Sequence, residues 1–468
     1  MPTLIIKFGG TSVGSAEAIS QACQIVAQAR GEFEHVAIVT SAMSGVTDLL
    51  LAAAAAAERG EMQAVHQTAT RLRDRHFGAV RALLPEPFDH QSQVEIEPLI
   101  TEFVRLCQAV QVLGEATPRA LDAVASLGER MSVRLLAAAL EHRGIPARPI
   151  EATQLIVTDD HHQAAHPDFQ ATAERVRTRL PRLWQQGVVP VITGFLAATP
   201  QGVITTLGRG GSDYSAAILA AALPAQEVWI YTDVDGVMTA DPRIVPAART
   251  VPELTFREVA ELAYFGAKVL HPKTIRPVIE AGIGLRVRNT FNPAHPGTRI
   301  VPNGGGDNAQ TGVLKAVTAI RGQRLITVEG RGMLGVPGVA GRAFQAVAAT
   351  GTSVMLITQA SSEQSISFAV PSGAAERVIA ALEQAFAAEL ARRDIDRVWA
   401  TGEIVIVTAV GAGMQYTPGV AGRIFTALGD AGANVIAIAQ GSSEAAISMV
   451  VAAADAQAAV RAIHGLIV

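Results

Sequence analysis

The sequence predicts an α/β fold in which an open, mostly parallel sheet lies between helices and is followed by two smaller ferredoxin-like βαββαβ units. Two observations lead to this prediction. Up to about residue 300, apolar strands alternate with glycine loops and helical patterns, as in parallel sheets. Beyond a glycine-rich link at residues 303–308 the chain repeats itself. We therefore expect one domain over residues 1–305 and two more after it.

Strands and helices alternate along the first part of the chain. Apolar runs rich in β-branched residues predict strands at 3–8, 35–42 and 188–195, at the starts of 203–223 and 227–237, and within 284–293. Apolar residues that recur at spacings of three and four predict helices up to about 30, from about 46 to 142, in the second half of 203–223, and over 252–267.

The C-terminal part contains a duplication. GMLGVPGVAGRAF (332–344) aligns with GMQYTPGVAGRIF (413–425), and both Gln359 and an SSE triplet recur 81 residues later. Matching blocks at one offset indicate a repeated unit. Each copy predicts strand, PGV turn, helix, strand, SSE turn, strand and helix, the βαββαβ pattern. We expect the copies to occupy 315–400 and 401–468 and to be interleaved.

Length, charge and cysteine content restrict the class of protein. A chain of 468 residues is too long for one ordinary domain. Its net charge of −4 predicts no affinity for nucleic acid or for a membrane surface. No apolar run approaches the roughly 20 residues of a membrane span, and no signal peptide precedes the first strand. We expect a cytoplasmic protein in which Cys23 and Cys107 are buried thiols rather than a disulfide.

Two glycine loops are candidate phosphate sites. KFGGTS follows the first strand, and LGRGGSD (207–213) follows another strand and opens a helix. Glycines let backbone N–H groups approach an oxyanion, and a helix N-terminus adds its positive dipole. Lys7 would add a full charge, although a lysine at a strand end often points to solvent. Neither loop is a Walker A motif or a dinucleotide fingerprint.

Seven motifs along the chain, two of which contain the glycine loops, can be considered together. They are KFGGTS, SAMSGVT, GER, GRGGSDYSA, TDVDGV with DPR, FGAKVLHP, and the paired C-terminal units. Together they resemble the aspartokinase family, an amino acid kinase fold followed by two ACT domains. The kinase part is especially similar to that of bifunctional aspartokinase–homoserine dehydrogenases. No dinucleotide-binding GxGxxG stretch follows the paired C-terminal units, so we expect kinase activity alone.

The resemblance implies transfer of the ATP γ-phosphoryl group to the β-carboxylate of L-aspartate. This carboxylate is already an anion at neutral pH, so the reaction needs no general base. Catalysis then depends on alignment and on neutralising charge. We expect lysines, backbone amides and Mg²⁺ that arrives with ATP, and no metal cage built from protein side chains. DDHH (159–162), with the nearby His166, looks like a solvated loop rather than a metal site because it lacks the ligand spacing of one.

The family motifs assign the phosphate-binding residues. Lys7 and the amides of Gly9 and Gly10 would contact the transferring phosphoryl group. Lys268 would meet the ATP phosphates from the opposite side. Asp213 would orient the lysines, although an N-cap of the following helix is an alternative for this residue.

The same resemblance assigns the amino-acid subsite. Arg209 would bind the α-carboxylate through a bidentate fork, and Glu129 would hold the α-ammonium. Taken alone, either residue could be a surface charge. The remaining contacts would be hydroxyl donors and one aromatic wall, which are Ser41, Thr47, Ser212 and Phe195.

The nucleotide would be bound by the segment TDVDGVMTADPR. Thr232, Asp233 and Arg243 are the candidates, although Asp233 could instead be a turn residue. The family commonly has an aromatic residue where Met238 stands. Met238 can pack on adenine, but it cannot provide ring stacking.

The duplicated part predicts a sensor. Gln359 and Gln440 hold equivalent positions before SSE, and such glutamines bind threonine in the bifunctional relatives. We therefore favour threonine over lysine as the effector, with a plain dimerisation role as the alternative; a homodimer or larger homo-oligomer through the ACT units is expected. Two rival functions stay open: a kinase of the same fold for glutamate or acetylglutamate, and a non-catalytic amino-acid-binding regulator.

Overall fold

The chain divides into two compact units. A computed structural model describes residues 2–266, 270, 272–302, 313–333, 336–360, 364–415, 417–441 and 445–467. The first unit is formed by described residues within 1–237, 252–256 and 269–304, and the second by those within 238–251, 257–268 and 305–468. None of the described helices is both long and apolar enough to cross a bilayer.

The first unit contains twelve of the described strands and most of the longer helices. Its strands are β1 (Thr3–Phe8), β2 (His35–Thr40), β3 (Ala147–Ile150), β4 (Val157–Thr158), β5 (Pro167–Asp168), β6 (Val189–Thr193), β7 (Leu196–Ala198), β8 (Ile204–Thr206), β9 (Glu227–Thr232), β10 (Glu253–Thr255), β11 (Gly284–Asn289) and β12 (Thr298–Val301). Its helices are α1 (Ala16–Glu32), α2 (Val46–Glu58), α3 (Met62–Leu83), α4 (Phe88–Leu113), α5 (Pro118–His142), α6 (Phe169–Gln185), α7 (Gly211–Ala222) and α9 (Pro272–Glu280). Helix α8 (Phe256–Tyr264) begins in this unit and continues in the second.

Eight strands form the main sheet in the order β10-β12-β11-β9-β1-β2-β6-β3. Neighbours from β11 to β3 are parallel, whereas β12 runs antiparallel to β11 and pairs in parallel with β10. A smaller sheet has the order β5-β4-β7-β8. The predicted α/β architecture with a mostly parallel sheet is confirmed.

Side chains alternate between the two faces of β1, and this alternation determines which face carries Lys7. Leu4, Ile6 and Phe8 are completely buried in a core shared with helices α1 to α5. Lys7 lies between Ile6 and Phe8 in sequence and therefore projects from the other face of β1.

Both cysteines, Cys23 and Cys107, are buried and free, as expected from the sequence.

The helix predicted over 252–267 begins later than expected. Residues Glu253–Thr255 form β10 instead and pair with β12, and the helix starts at Phe256. The local sequence suits an amphipathic helix, but backbone hydrogen bonding to a neighbouring strand outweighs that preference at its start.

The second unit is built on a six-stranded antiparallel sheet in the order β14-β15-β13-β16-β18-β17. The strands are β13 (Ala316–Glu329), β14 (Leu356–Gln359), β15 (Ser365–Pro371), β16 (Arg397–Val410), β17 (Val435–Gln440) and β18 (Ala446–Ala452). The helices are α10 (Val339–Ala349), α11 (Ala375–Ala385), α12 (Ala387–Arg392), α13 (Val420–Asp430) and α14 (Ala456–His464). The predicted element order of each repeat is confirmed, except that the two SSE triplets lie outside the described residues.

The two long central strands are shared between the repeats. Residues 323–329 of β13 pair with β15 and with the start of β16, whereas residues 316–320 pair with the end of β16 beside β18. The segment 316–320 thus completes the sheet of the second repeat, and the start of β16 completes that of the first. The first repeat therefore lies within the sequence of the second.

One segment from the N-terminal part of the sequence, residues 238–251, packs in the second unit. The carbonyl of Thr239 accepts from the amide of Val317 at 2.8 Å, and its hydroxyl lies 2.9 Å from Nε2 of His464. Ile244 and Val245 belong to the same apolar core as helices α13 and α14. Residues 238–251 are therefore part of the second hydrophobic core.

Candidate active site

A cleft of the first unit opens at the carboxyl ends of the central strands. Its volume is about 720 Å³, and it is lined by both glycine loops and by residues that follow β1, β2, β6 and β9. Ligands of open parallel sheets bind at this edge, where loops from neighbouring strands converge. Twelve residues predicted from the sequence line this cleft: Lys7, Gly9, Gly10, Ser41, Thr47, Glu129, Phe195, Arg209, Ser212, Asp213, Thr232 and Asp233.

Lys7 and Asp213 connect the two glycine loops. Their ammonium and carboxylate groups are 2.6 Å apart, with side chains 12% and 15% exposed. Asp213 is the third residue of α7, whose N-cap is Gly210 in the left-handed conformation at φ 73°. The N-cap alternative for Asp213 is therefore wrong. An acidic side chain in the first helical turn interacts favourably with the dipole of α7. Here Asp213 also holds Lys7 at the mouth of the first glycine loop.

The two glycines of the first loop differ in what they offer a ligand. The N–H of Gly9 donates to the carbonyl of Tyr231 at 3.2 Å, so this amide is engaged within the fold, against the expectation that it contacts a phosphate. A Cβ on Gly9 would lie 3.5 Å from Nζ of Lys7, and one on Gly10 would lie 3.1 Å from the carbonyl of Ala42. The glycines thus allow the loop to pass close to the lysine and to the loop after β2.

Glu129 is a buried carboxyl group at the floor of the cleft. One oxygen accepts from the amide of Ala42 at 3.2 Å, and the other, Oε2, has no hydrogen-bond partner among the described residues. Burial raises the pKa of Glu129 to about 8, because desolvation disfavours the charged form. An unpaired buried carboxyl oxygen that lines a cleft is suited to a cationic ligand.

Phe195 has a strained backbone beside the second glycine loop. Its φ is 65°, a left-handed conformation that is rare for an aromatic residue. Its N–H donates to the hydroxyl of Ser215 at 3.0 Å. A Cβ on Gly211 would lie 2.6 Å from the Phe195 ring, and one on Gly194 would lie 2.6 Å from the Ser212 hydroxyl. Strain of this kind persists only where surrounding contacts impose it, and it is common at functional sites.

Arg209 supplies an exposed positive charge to the cleft. It follows Gly208, which has φ 77°, and the structure shows no ion pair for it among the described residues. The cleft therefore contains a cation on one side and the buried carboxyl of Glu129 on another. A zwitterionic ligand with a free carboxylate and a free ammonium matches this pair of charges.

Three of the residues predicted for the catalytic and nucleotide-binding sites are not among those lining the cleft. Lys268 lies outside the described residues. Met238 and Arg243 belong to the second unit. There Arg243 is 86% exposed and pairs with Asp241 at 2.7 Å, while Sδ of Met238 lies 3.8 Å from the hydroxyl of Thr250.

The structure adds cleft residues that the sequence did not suggest. Asp122 lies two helical turns before Glu129 on the same face of α5, and Gln163 and Thr206 also line the cleft. The i, i+7 spacing from Glu129 was a usable signal for Asp122. His162 of the DDHH segment contacts Asp122 at 2.6 Å. Within the described ranges, no group of three or more His, Cys, Asp or Glu side chains is arranged to hold a metal ion.

Each C-terminal repeat has its own small cavity. Gln359 lines one of about 320 Å³ and Gln440 lines one of about 340 Å³. The lining residues correspond one to one at the offset of 81, with Val336 replaced by Thr417 as the main chemical difference. Each cavity includes the PGV turn at the N-terminus of an eleven-residue helix.

Comparison with known proteins identifies the family. The amino acid kinase family matches residues 2–289. The aspartokinase of Thermus thermophilus is 34% identical over 99% of this chain and 98% of its own length. The chain belongs to the aspartokinase family. The resemblance inferred from the seven motifs is thereby confirmed.

The ACT domain family and solved aspartokinase structures are also similar to this chain. The ACT domain family matches residues 326–386 and 407–466, which are the two repeats. The crystal structure of E. coli aspartokinase III in complex with aspartate and ADP has a TM-score of 0.81 at 30% identity and 99% coverage of both chains. That of the same enzyme with lysine and aspartate has a TM-score of 0.78 at 31% identity and the same coverage.

The bifunctional aspartokinases are longer. The bifunctional aspartokinase/homoserine dehydrogenase of Haemophilus influenzae is 36% identical over 98% of this chain, which covers 56% of that protein. The chain spans about half the length of the bifunctional relatives it matches.

Proposed function

We propose that this protein is an aspartate kinase that transfers the γ-phosphoryl group of ATP to the β-carboxylate of L-aspartate. The product would be 4-phospho-L-aspartate, the first intermediate toward lysine, threonine and methionine. The observation that carries the proposal is the buried oxygen of Glu129, which has no partner among the residues that the structure describes and lies in the same cleft as the Lys7–Asp213 pair. The first group suits an amino-acid ammonium, and the second suits a phosphoryl group.

The reaction would proceed by alignment and charge neutralisation. A β-carboxylate oxygen forms a bond to the γ-phosphorus, the bond from the γ-phosphorus to the β–γ bridging oxygen breaks, and ADP leaves with that electron pair. Because the acceptor is already ionised, no proton has to move. Lys7, held by Asp213, would neutralise charge on the transferring group. Mg²⁺ bound to the ATP phosphates would neutralise further negative charge, and Lys268 would act from the opposite side.

The amino acid would be fixed at both of its backbone charges. Glu129 would accept from the α-ammonium, and Arg209 would bind the α-carboxylate. Contacts to the rest of the substrate would come from Ser41, Thr47, Ser212 and the ring of Phe195. The nucleotide would contact Thr232 and Asp233, with Met238 and Arg243 as the further candidates from the same segment.

Trapping of the acyl phosphate with hydroxylamine tests the proposal. Incubation with ATP, Mg²⁺ and L-aspartate should yield aspartyl hydroxamate. Glu129→Gln should lower kcat/KM for aspartate roughly 10- to 100-fold, because a charge-assisted hydrogen bond to the substrate is lost. Glu17→Gln is the matched control, since Glu17 is an exposed glutamate in the first turn of α1, and it should behave as the wild type.

The rival functions predict other products. Hydroxamate with glutamate or acetylglutamate but not with aspartate would show that the subsite accepts another acid. Absence of any phosphoryl transfer, with amino-acid binding preserved, would favour the non-catalytic regulator.

We also propose that the ACT domains bind an amino-acid effector, with threonine favoured over lysine. Two equivalent cavities each present an exposed glutamine and the uncapped N-terminus of a helix, and such a terminus favours a carboxylate. Gln359→Ala with Gln440→Ala should abolish inhibition relative to the uninhibited rate of the same variant. Gln384→Ala, an exposed glutamine of α11, should keep it. Inhibition by lysine alone, as the lysine complex of the E. coli enzyme would suggest, would overturn the choice of threonine.

A homodimer through the ACT domains is the expected assembly. The edge strands β14 and β17 expose Ile357, Ile436 and Ile438, which are 52%, 40% and 44% exposed. Edge strands with apolar side chains tend to pair with another chain. Ile357→Lys combined with Ile438→Lys should shift the mass measured by light scattering toward the monomer, whereas Val94→Lys, at an exposed valine of α4, should not. An unchanged mass in the first variant would contradict this assembly.

A further inference from the structure

Asp122 is a buried carboxyl group that the proposed chemistry does not use. It is 1% exposed, and it projects from α5 into the same cleft as Glu129. A buried carboxylate is stable only when its oxygens are paired. The identity of its partners therefore indicates what Asp122 does.

The partners of Asp122 come from two separate loops. The hydroxyl of Thr206, at the end of β8, donates to Oδ1 at 2.6 Å. Nδ1 of His162 contacts Oδ2 at 2.6 Å, and the amide of Gln163 donates to the carboxylate at 3.2 Å. One carboxylate thus joins the loop 159–166 to the strand that leads into the second glycine loop.

The two loops also contact each other next to Arg209. The amide of Ala165 donates to the carbonyl of Thr206 at 2.9 Å. A Cβ on Gly208 would lie 3.0 Å from the carbonyl of Gln163, so the backbone of loop 159–166 packs directly against the residue before Arg209. Arg209 itself is exposed, and its position in the cleft therefore depends on the backbone that carries it.

We propose that Asp122 and His162 are positioning residues that hold the Arg209 loop where its guanidinium meets the substrate α-carboxylate. The inference rests on the proposed function for the identity of that substrate, but not for the mechanical role of the pair. Asp122 fixes Thr206, three residues before Arg209. His162 fixes the loop that supports Gly208. Loss of the His162 hydrogen bond would release loop 159–166 at one end and increase the mobility of Arg209.

His162 is the residue that can be changed with least damage to the core. Its side chain is 16% exposed, whereas that of Asp122 is 1% exposed. His162→Leu removes the donor to Asp122, and His162→Asn can restore a donor close to the position of Nδ1. His166→Leu is the matched control, because His166 belongs to the same loop but pairs with the exposed Asp159 at 3.1 Å.

Two readouts test the proposal on the full-length chain. The first is hydrogen exchange of peptides covering 159–166 and 206–212 in the free protein. The second is the pair of kinetic constants for aspartate. We expect His162→Leu to increase exchange in both peptides and to raise KM for aspartate about tenfold, with kcat and the KM for ATP within a factor of two to three. His162→Asn should recover most of both effects, and His166→Leu should show neither.

Other outcomes would overturn the proposal. Unchanged exchange in His162→Leu would show that the contact does not hold the loop. Faster exchange without a change in KM for aspartate, or an equal loss in His162→Asn, would show that the loop does not position the substrate. If the wild type did not phosphorylate aspartate, the proposed function would fail, while the exchange comparison would still decide whether the pair holds the loop.

Discussion

At the scale of single residues, Glu129 links the chemistry of the site to pH. Its pKa is raised from 4.5 to about 8 by burial. The folded protein therefore holds a proton between these pH values that the unfolded chain releases. This carboxyl consequently contributes less to stability as the pH rises through that window. An ammonium ligand would favour the charged form and return the pKa toward its ordinary value.

Aspartate binding at pH 7 should release a proton from Glu129. The free carboxyl is mostly protonated at that pH, and contact with the α-ammonium favours its ionisation. Titration calorimetry in two buffers with different ionisation enthalpies measures the number of protons released. We expect close to one proton for the wild type, about none for Glu129→Gln, and the wild-type value for Glu17→Gln. Equal proton release by the wild type and Glu129→Gln would contradict the assignment.

Residue identity alone was enough to predict some of the residues that line the cleft but not others. Glu129, Arg209 and Asp213 were found because each belongs to a motif of the family. Asp122 and His162 were missed because their function depends on a contact across 40 residues of sequence. For His162 such a contact leaves no local pattern in one sequence, whereas for Asp122 the i, i+7 spacing from Glu129 was a usable signal.

At the scale of elements, Gly194 sets how closely the end of β6 approaches α7. A Cβ at this position would lie 2.6 Å from Cβ and Oγ of Ser212 and 2.9 Å from its Cα. The first turn of α7 carries Ser212 and Asp213, so any displacement would move two candidate ligands. The glycine is required for close approach rather than for an unusual backbone conformation.

Gly194→Ala should destabilise the protein by about 1–3 kcal/mol through overpacking and should raise KM for aspartate. Gly78→Ala is the matched control. Gly78 lies inside α3, and a Cβ there would meet nothing within 4 Å. That substitution should stabilise the protein by about 1 kcal/mol through helix propensity. Urea unfolding compares the two, and a neutral Gly194→Ala would show that the first turn of α7 can shift without cost.

Helix α8 is attached to the second unit by a buried ion pair. Oε2 of Glu258 lies 3.1 Å from Nζ of Lys315, and the two side chains are 0% and 6% exposed. The other carboxyl oxygen accepts from the amide of Ala412 at 2.6 Å. Ala412 lies shortly before the PGV turn of the second ACT domain, so this helix is joined to the region of the proposed effector cavity.

Glu258→Gln should destabilise the second unit by about 3–5 kcal/mol, because it removes one charge of a buried ion pair. Glu280→Gln breaks a comparable pair with Arg276 whose side chains are 60% and 74% exposed. That control should cost less than about 1 kcal/mol. Calorimetry compares the two. Similar small shifts in both variants would show that the buried pair is compensated by solvent or by neighbouring groups.

At the scale of the whole molecule, the compact units do not follow the order of the sequence. Residues 238–251 and the described part of 257–268 lie within the stretch matched by the amino acid kinase family but belong to the second unit. Ile244, Val245 and Phe265 are buried there in cores formed with later residues. A cut between the families in sequence would therefore separate parts of one hydrophobic core.

A truncated chain that ends at residue 304 should be poorly folded. It would expose apolar side chains that the later residues cover, and such patches favour aggregation. We expect increased binding of a hydrophobic dye and a less cooperative thermal transition than in the full-length chain. A truncated chain that unfolds cooperatively and remains monomeric would show that these segments can repack within the first unit.

The sequence by itself determined the fold class, the family and most of the candidate ligands. Apolar periodicity, glycine loops and a repeat at one offset are patterns of the sequence itself, and they can be recognised without a structure. Tertiary structure alone decided the start of α8, the nesting of the ACT domains, the engagement of the Gly9 amide and the partners of Asp122. Each of these depends on which backbone or side chain lies opposite in space. The free energy that decides them comes from pairing between residues far apart in sequence, and no single segment of the chain specifies that pairing.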